Sequence, residues 1–371
     1  MKPWDSGAAD RVVGVGDMAV HAWYHPRTLW LGSLDETEHS VLVAAHPPKI
    51  VAGCNIVILA SAAWFIRESK MAMNSVLITG SSTGFGRASA QALAGRGYTV
   101  FATMRDSMGR NAPEREALES LATREGWALH VVDLDVTDEA SVNEAVRQIL
   151  SPAGRIDVVI NNAGFCTVGV TEAFTVEQFR QLFEVNLFGV VRVNRAVLPS
   201  MRHQRSGLLI HVSSVAGRLA APALGAYCAS KFALEALADA YRFELSPFGI
   251  DSVLVEPGFH RTPAFEKLVA PADGERVNDY GSEAQYAARV RAVFDAVGVS
   301  PETPGVDEIV MAFVRLIETP AGQRPFRTVS TAIAPLLSGY NAVAEDIRPA
   351  MANILKVPEL LVLEQAASAG Q

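Results

Sequence analysis

Cysteine is scarce in this sequence, and its three copies are scattered at Cys54, Cys166 and Cys228. No Cys-x-x-Cys pair and no nearby cluster of histidines accompanies them. An odd number of isolated cysteines argues against a disulfide framework, and the ligand spacing of a zinc site is missing. The pattern is typical of a reducing compartment, so we expect a cytoplasmic location and no metal.

The sequence also has no block of lysine and arginine residues. Its formal net charge is −8 and its isoelectric point is about 5.6. Proteins that bind nucleic acids carry a basic patch that attracts the phosphate backbone. We therefore expect no nucleic-acid partner.

Long apolar runs are absent except for one, which lies between Lys49 and Arg67 and reads "IVAGCNIVILASAAWFI". Its 17 residues, 50–66, are at the lower limit for a membrane span, and basic residues at both ends leave its orientation open. The run lies too far from the N-terminus for a signal peptide. Residues 1–72 are thus an N-terminal extension with little periodicity, and three interpretations stay open. It is a dispensable, poorly ordered segment from an upstream start codon, a membrane anchor through a hydrophobic helix at 50–66, or a folded cap.

Short β-branched runs alternate with helical stretches from Ser75 onward. The runs are SVLIT (75–79), TVFATM (99–104), ALHVVDL (128–134), IDVVIN (156–161), GLLIHVS (207–213) and IDSVLVE (250–256). Apolar residues at helical spacing occupy the segments between them, such as 139–150 and 179–197. Strands this apolar are covered on both faces, as in parallel sheets of right-handed βαβ units. The sequence predicts an α/β fold with a doubly wound (Rossmann) parallel sheet, a single domain over 73–330, and a C-terminal helical tail at 331–371.

A glycine-rich turn, "TGSSTGFG" at 79–86, directly follows the first predicted strand. Gly80, Gly84 and Gly86 permit a tight turn, a close approach of the backbone to a pyrophosphate, and close packing of the next helix. The N-terminus of that helix attracts phosphate charge. The turn therefore indicates a dinucleotide site.

The end of the second strand bears on the choice of cofactor. Met104 stands where NAD-specific sites place a carboxylate that holds the ribose 2′-hydroxyl, and Arg105 follows it. A guanidinium binds a 2′-phosphate bidentately, so NADP(H) is favoured. Asp106 could reach the ribose instead, which would admit NAD(H).

Polar residues also follow the third and fourth strands, at the sheet edge where ligands bind in such folds. Asp135 is placed to accept from an adenine amino group, with Val136 along the ring, and "NNAG" at 161–164 ends the fourth strand. Asp, Asn and Gly are also the residues of ordinary turns. Neither segment identifies a site by itself.

In order and spacing, these motifs resemble the short-chain dehydrogenase/reductase family over roughly residues 73–330. The resemblance rests on Thr79-Gly80-x-x-x-Gly84-x-Gly86, Asn161-Asn162-Ala163-Gly164, Asn186, Ser214 placed 13 residues before Tyr227, Tyr227-x-x-x-Lys231, and Pro257-Gly258 with Thr262. "VFATMRD" and "YCASKFALEAL" are most similar to 17β-hydroxysteroid and retinol dehydrogenases and their bacterial relatives. The N-terminal extension, residues 1–72, is not part of the pattern of the family's soluble members.

Tyr227 and Lys231 lie four residues apart, so both point from one face of a helix. A tyrosine titrates near 10, and we expect the neighbouring ammonium in a partly desolvated cleft, together with the positive nicotinamide of the oxidised cofactor, to lower the pKa of the phenol. Tyr227 is therefore the predicted general acid and base. Ser214, at a strand end, is predicted to donate to the substrate oxygen, while Ser213 should point to the other face.

The resemblance implies further roles. Lys231 would hold the nicotinamide ribose, Asn186 would hold a water in a proton relay, and the Pro257-Gly258 segment with Thr262 would contact the nicotinamide carboxamide. The predicted catalytic residues are Asn186, Ser214, Tyr227 and Lys231. The predicted cofactor-binding residues are Thr79, Gly80, Ser82, Thr83, Gly84, Phe85, Gly86, Arg105, Asp135, Val136, Asn162, Ala163, Gly164, Tyr227, Lys231, Pro257, Gly258 and Thr262.

Residues 259–298 carry several aromatic and aliphatic residues among charged ones. The resemblance implies that this stretch is a lid over an apolar pocket, which suits a hydrophobic ketone, aldehyde or alcohol of steroid, retinoid or aromatic type. Alternatively, the aromatic residues only pack the lid on the sheet.

The sequence thus predicts an NADP(H)-dependent oxidoreductase with a small hydrophobic substrate. Two alternatives stay open: a redox sensor that binds NADP without turnover, and a membrane-anchored dehydrogenase of the same chemistry. A sensor has no need for the four catalytic residues together, so their joint presence favours the enzyme. The resemblance also implies a homodimer or homotetramer that pairs the helix bearing Tyr227.

Overall fold

The computed structural model describes residues 10–15, 18–25, 28–33, 41–43 and 75–364. The chain divides into two compact units, Met1–Ser69 and Lys70–Gln371. The apolar run at 50–66 lies outside the described residues, so its predicted helix stays a prediction.

The first unit contains a four-stranded antiparallel sheet in the order β1-β2-β3-β4. Its strands are β1 (Asp10–Val15), β2 (Met18–His25), β3 (Thr28–Ser33) and β4 (Val41–Val43). No strands were predicted in this segment. Polar and aromatic residues interrupt its apolar alternation, as in β2, which reads MAVHAWYH.

The second unit is built on a seven-stranded parallel sheet in the order β11-β10-β9-β8-β5-β6-β7. Its strands are β5 (Ser75–Ile78), β6 (Thr99–Met104), β7 (Leu129–Asp133), β8 (Val158–Asn161), β9 (Gly207–Val212), β10 (Ile250–Pro257) and β11 (Arg327–Ser330). The doubly wound fold is confirmed, with a strand in each of the six predicted runs. The sequence analysis missed β11.

Ten α-helices lie in the described part of this unit, and some of them pack on the two faces of the sheet. They are α1 (Gly84–Ala94), α2 (Ala112–Glu125), α3 (Glu139–Ala153), α4 (Val176–Phe183), α5 (Gly189–Gln204), α6 (Gly225–Glu244), α7 (Gly274–Asp279), α8 (Gln285–Val299), α9 (Asp307–Glu318) and α10 (Ala334–Ile354). Alternate residues of β5 enter different apolar layers: Val76 packs with Leu93 and Phe313, whereas Leu77 packs with residues of α3 and α5. Burial on both sides explains why the strands are apolar throughout.

The chain reverses its winding direction at β5, which pairs with β6 on one side and β8 on the other. A crevice therefore opens at the carboxyl ends of β5 and β8, where doubly wound folds bind ligands. Among the described residues, no helix combines the length and apolarity that a membrane crossing requires.

Candidate functional site

A hydrogen-bonded cradle joins the carboxyl ends of β5 and β8. The hydroxyl oxygen of Thr79 accepts from the backbone N–H groups of Asn162 and Ala163, both at 3.0 Å. In return, Nδ2 of Asn162 donates to the carbonyls of Thr79 at 2.8 Å and Gly80 at 3.1 Å. The glycine turn and the "NNAG" segment therefore form one rigid wall.

Glycine is required at two positions of this cradle. Gly80 has φ +70, and a Cβ atom there would lie 2.9 Å from Cα of Ala163. A Cβ atom on Gly86 would lie 2.4 Å from the carbonyl oxygen of Gly80. By contrast, the nearest atom to such a Cβ on Gly84 is Cβ of Thr262 at 4.0 Å, so the space in front of the loop is open.

Helix α1 begins at this open space, at Gly84, and has no acidic residue in its first turn. Its free N–H groups and positive end favour a phosphate. The cradle thus fits the pyrophosphate of a dinucleotide. Ser82, Thr83 and Phe85 are partly exposed along it.

Arg105 and Asp106, in the loop after β6, have different surroundings. Asp106 takes a left-handed conformation, with φ +50, and its Oδ2 accepts from the backbone N–H of Arg110 at 2.9 Å. Arg105 is exposed, and within the described part of the chain its guanidinium makes no hydrogen bond or ion pair. The carboxylate is engaged in its own turn, whereas the guanidinium is free.

The segment after β7 is partly used by local structure. One carboxylate oxygen of Asp135 accepts from the backbone N–H and the hydroxyl of Thr137, at 2.9 and 2.8 Å. Val136 is buried against α5, since a Cβ atom on Gly189 would lie 2.8 Å from its Cβ. Asp135 and Thr137 therefore form an ordinary turn, which is the alternative role that the sequence left open for this segment.

Ser214 and Tyr227 meet beyond the end of β9. The Ser214 hydroxyl donates to the carbonyl of Pro257 at 3.4 Å and accepts from the backbone N–H of Ala216 at 3.1 Å. Burial raises the pKa of the Tyr227 phenol above its ordinary value, and the nearby Cys166 adds to this, whereas a hydrogen bond with Ser214 lowers it. The sequence predicted a lowered pKa with the oxidised cofactor bound, and that stays a prediction. In the chain alone the pKa shifts in the opposite direction, because desolvation outweighs the favourable contact with Ser214.

Lys231 lies one turn beyond Tyr227 on α6. Its Nζ donates to the carbonyl of Val212 at 2.8 Å and lies 5.8 Å from the centre of the Tyr227 ring. Burial lowers the pKa of Lys231 to about 8, while Cys166 and Glu235 act to raise it. The ammonium is thus held beneath the phenol ring by a backbone carbonyl.

Asn186 lies in a π-helical turn, Glu184–Phe188, between α4 and α5. Its amide donates to the carbonyl of Phe165 at 3.0 Å and to the hydroxyl of Ser230 at 3.1 Å, and its Oδ1 accepts from the N–H of Phe165 at 3.0 Å. A Cβ atom on Gly164 would lie 3.1 Å from Oδ1 of Asn186 and 3.7 Å from Nζ of Lys231. The Asn186 side chain, which the resemblance expects to hold a water, therefore fixes the loop after β8.

The segment after β10 lies over the glycine turn. Gly258 donates its N–H to the carbonyl of Ser330 at 2.8 Å, and the ring of His260 meets that of Phe85 edge-on at 5.7 Å. Thr262, almost fully buried, faces Gly84 as noted above. The Pro257-Gly258 segment and the glycine turn thus form opposite walls of one crevice.

Apolar side chains surround Tyr227 on its outer side. Leu268, Phe265, Tyr286, Val290 and Phe294 come from residues 259–298 and share one cluster with Tyr227, Cys166 and Val168. The base of this segment is fixed by two backbone hydrogen bonds, from Val168 to Val269 at 3.0 Å and from Val269 to Cys166 at 3.1 Å. Cys166 was not predicted as a site residue, although its position two residues after "NNAG" could have indicated that it lies in the site.

The predicted residues fall into two groups along the sheet edge. Arg105 and Asp135 follow β6 and β7, whereas Ser214, Tyr227, Lys231 and Pro257 gather around β9 and β10, with the cradle between them. This arrangement suits an extended dinucleotide. Within the described ranges, no group of three or more His, Cys, Asp or Glu side chains could hold a metal ion.

The sequence profile described as short chain dehydrogenase matches residues 74–273, more than half of the chain. The uncharacterized oxidoreductase YusZ of Bacillus subtilis is 39% identical over 212 residues, covering 55% of this chain and 73% of that protein. Human 17-beta-hydroxysteroid dehydrogenase type 1 is 34% identical over 259 residues, covering 67% of this chain and 76% of that protein.

Solved structures are similar as well. A short-chain dehydrogenase from Streptomyces avermitilis superimposes with a TM-score of 0.60 at 30% identity, covering 77% of this chain and 98% of that one. An alcohol dehydrogenase from the archaeon Thermococcus sibiricus, complexed with 5-hydroxy-NADP, gives a TM-score of 0.55 at 26% identity over 70% and 96% of the two chains. With this fold and these matches, the chain belongs to the short-chain dehydrogenase/reductase family of NAD(P)-binding oxidoreductases and is similar to its hydroxysteroid dehydrogenases.

Proposed function

We propose that the protein is an NADP(H)-dependent oxidoreductase that interconverts a hydrophobic ketone or aldehyde and the corresponding alcohol. The observation that carries the proposal is the Tyr227 phenol, whose pKa the nearby Ser214 side chain acts to lower and which packs with apolar side chains of the lid segment. A carbonyl oxygen placed between these two hydroxyls would meet two donors in a desolvated setting. Such a setting favours the charge that develops on the oxygen during reduction.

Tyr227 acts as the general acid in reduction. Because burial raises the pKa of its phenol, the group keeps its proton at neutral pH and can give it to the alkoxide oxygen. In oxidation the phenol must first ionise, and the Lys231 ammonium beneath the ring stabilises the phenolate. The bound nicotinamide supplies or accepts the hydride.

The remaining predicted residues hold the cofactor. The glycine turn and the start of α1 would bind the pyrophosphate, Lys231 the nicotinamide ribose, and the Pro257-Gly258 segment the carboxamide. Asn186 is a positioning residue that fixes the loop beside Lys231. The preference for NADP(H) is supported by the unpaired guanidinium of Arg105 and by the engagement of Asp106 in its own turn.

The substrate class follows from the lining of the site. Phe265, Leu268, Tyr286 and Phe294 provide apolar surface next to Tyr227, which suits a steroid, retinoid or aromatic carbonyl. The similarity to a human hydroxysteroid dehydrogenase supports the same class. A cytoplasmic location is proposed from the cysteine pattern.

Turnover assays test the proposal directly. The full chain is incubated with NADPH or NADH and a panel of steroid, retinoid, aromatic and aliphatic carbonyls, and loss of reduced-cofactor absorbance is followed. We expect turnover that prefers NADPH and apolar carbonyls and that Tyr227→Phe reduces by at least about 1,000-fold without weakening cofactor binding. Cofactor binding without turnover on any carbonyl or alcohol would contradict the proposal and favour the redox sensor.

A further inference from the structure

The C-terminal helix α10 presents an apolar face to solvent. The helix has 21 residues and buries Leu337, Asn341 and Ala352 on its inner side. Its outer side exposes six large apolar residues: Leu336 (79% exposed), Tyr340 (51%), Val343 (60%), Ile347 (56%), Met351 (48%) and Ile354 (73%). We name these six residues the α10 stripe.

The α10 stripe has the spacing of a helix-packing seam. Successive members are three or four residues apart, so they form one continuous row along the helix. No charged residue falls within the row. The charged Glu345 and Arg348 point toward the protein and pair with each other and with Arg327 and Asp239.

The stripe is as large as the largest apolar patches that monomeric proteins expose, and such patches are often functional. Six side chains that are half to four-fifths exposed present several hundred Å² of contiguous apolar area. A stable interface hides about 800 Å² on each partner. The stripe therefore has the dimensions of one side of a protein interface.

The order of residues in the stripe is nearly symmetric about Glu345. Leu336 and Ile354 lie at equal distances from this position, as do the inner pair Val343 and Ile347, and Tyr340 mirrors Met351 to within one residue. Members of each pair are also similarly exposed. An antiparallel copy of α10 would thus place aliphatic residues opposite aliphatic ones and the Tyr340 ring opposite a methionine sulfur, which is a favourable contact.

A lipid surface fits this face less well. Helices that lie on membranes carry lysine and arginine on their polar sides and are drawn to anionic headgroups. The charged residues at the border of the stripe are Arg218, Asp346 and Lys356, which do not form a basic cluster, and the whole chain carries a net charge of −8. The absence of a basic cluster at this border and the negative net charge favour self-association over binding to anionic lipid.

We propose that the α10 stripe is an interface with a second copy of this chain, packed antiparallel about a two-fold axis at the level of Glu345. The interface is separate from the pairing of the Tyr227-bearing helix that the family resemblance implies. It does not depend on the proposed enzymatic activity, since it rests on α10 alone.

Contacts join this interface to the site. The guanidinium of Arg218 lies 4.7 Å from the centre of the Tyr340 ring, and its Nε donates to Oδ1 of Asn341 at 2.8 Å. Arg218 directly follows the turn that Ser214 begins. A partner packed on Tyr340 would therefore stabilise, through Arg218, the turn that begins at Ser214.

The first test measures the mass of the full chain by light scattering and analytical ultracentrifugation. We expect Ile347→Glu to halve the mass of the parent assembly and to raise the dissociation constant on the order of a hundredfold, because it buries a charge at the centre of the interface. Val176→Glu, an equally exposed aliphatic position on α4, is the matched control and should leave the mass unchanged. An unchanged mass for Ile347→Glu, or a monomeric parent at micromolar concentration, overturns the proposal.

Cysteine cross-linking tests the antiparallel order. Leu336 and Ile354 lie about 27 Å apart along one helix, so only an antiparallel partner brings the two positions together. A mixture of Leu336→Cys and Ile354→Cys chains should form a disulfide-linked dimer on mild oxidation, whereas either variant alone should match the parent chain. Cross-linking of Leu336→Cys with itself would overturn the antiparallel arrangement.

Other occupants of the stripe give different results. If a monomeric parent cosediments with vesicles of phosphatidylglycerol and phosphatidylcholine and Ile347→Glu does not, the stripe binds lipid and the proposal is wrong. If a monomeric parent becomes more exposed to an apolar dye after removal of residues 1–69, the N-terminal unit covers the stripe and the proposal is equally wrong.

Discussion

The Nζ atom of Lys231 lies 5.8 Å from the centre of the Tyr227 ring, yet its hydrogen bond goes to the carbonyl of Val212 at 2.8 Å. The backbone therefore keeps the ammonium in place close to the phenol ring. Because burial raises the pKa of the phenol, the protonated form is the resting form. This relationship makes the two directions of the proposed reaction respond differently to pH.

Alcohol oxidation should accelerate as pH rises from 6 to 8. Oxidation needs the phenolate, and a raised pKa moves ionisation of Tyr227 to higher pH, while Lys231, with a pKa of about 8, is almost fully charged at pH 6 and about half charged at pH 8. Carbonyl reduction needs the neutral phenol and should stay nearly constant. The measurement is kcat/KM against pH in both directions, and an oxidation rate that falls over this range would refute the assignment of Tyr227.

Ser214→Ala should reduce turnover by about 100- to 1,000-fold, because its hydroxyl is the second donor to the substrate oxygen. Ser213→Ala is the matched control. The Ser213 side chain is buried beside Gly217, where a Cβ atom would lie 2.5 Å from its hydroxyl oxygen, whereas the hydroxyl that bonds to Pro257 is that of Ser214. We expect Ser213→Ala to stay within tenfold of the parent, and the reverse ranking of the two kcat values would overturn the choice of Ser214.

Arg105→Gln should raise KM for NADPH by roughly 10- to 100-fold and change KM for NADH little, since only NADPH carries the 2′-phosphate. Arg110→Gln removes an equally exposed guanidinium from the same loop and serves as the control. Equal effects of the two substitutions would indicate general electrostatics instead of a specific phosphate contact.

Gly80→Ala should weaken both the fold and the cofactor site. The substitution forces alanine to φ +70 and brings its Cβ within 2.9 Å of Ala163. Gly126→Ala imposes nearly the same backbone strain, at φ +68, with nothing within 4 Å. The difference in unfolding free energy between the two variants isolates the steric contact, and we expect about 1–3 kcal/mol. Calorimetry of cofactor binding completes the comparison, because only Gly80→Ala should lose affinity.

The sequence predicted six strands of the main sheet because each is an apolar run with both faces buried. Strand β11 escaped prediction because it has four residues and begins with a charged one, Arg327. The guanidinium is buried there by four carboxylates, those of Glu235, Asp239, Glu256 and Glu345. Local composition cannot show that distant residues will neutralise a charge.

The positions of the site residues were predictable because the motifs follow strand ends. The pKa shifts of these residues were not predictable from the sequence. The direction of the Tyr227 pKa shift depends on side chains such as Leu268 and Phe294, which lie far along the chain and enclose the phenol only after folding. The partners of Asn186 likewise depend on a π-helical turn that no spacing rule reveals.

The bonds from Asn162 and Ala163 to the Thr79 hydroxyl also set an order of assembly. They link residues separated by 83 and 84 positions, and β6 and β7 lie between them in the chain. During synthesis, β5, β6 and β7 can therefore pair while the nucleotide cradle still lacks its second wall. The cradle is therefore complete once β8 has paired with β5, while β9, β10 and β11, which carry the other side of the candidate site, are still to follow in the chain.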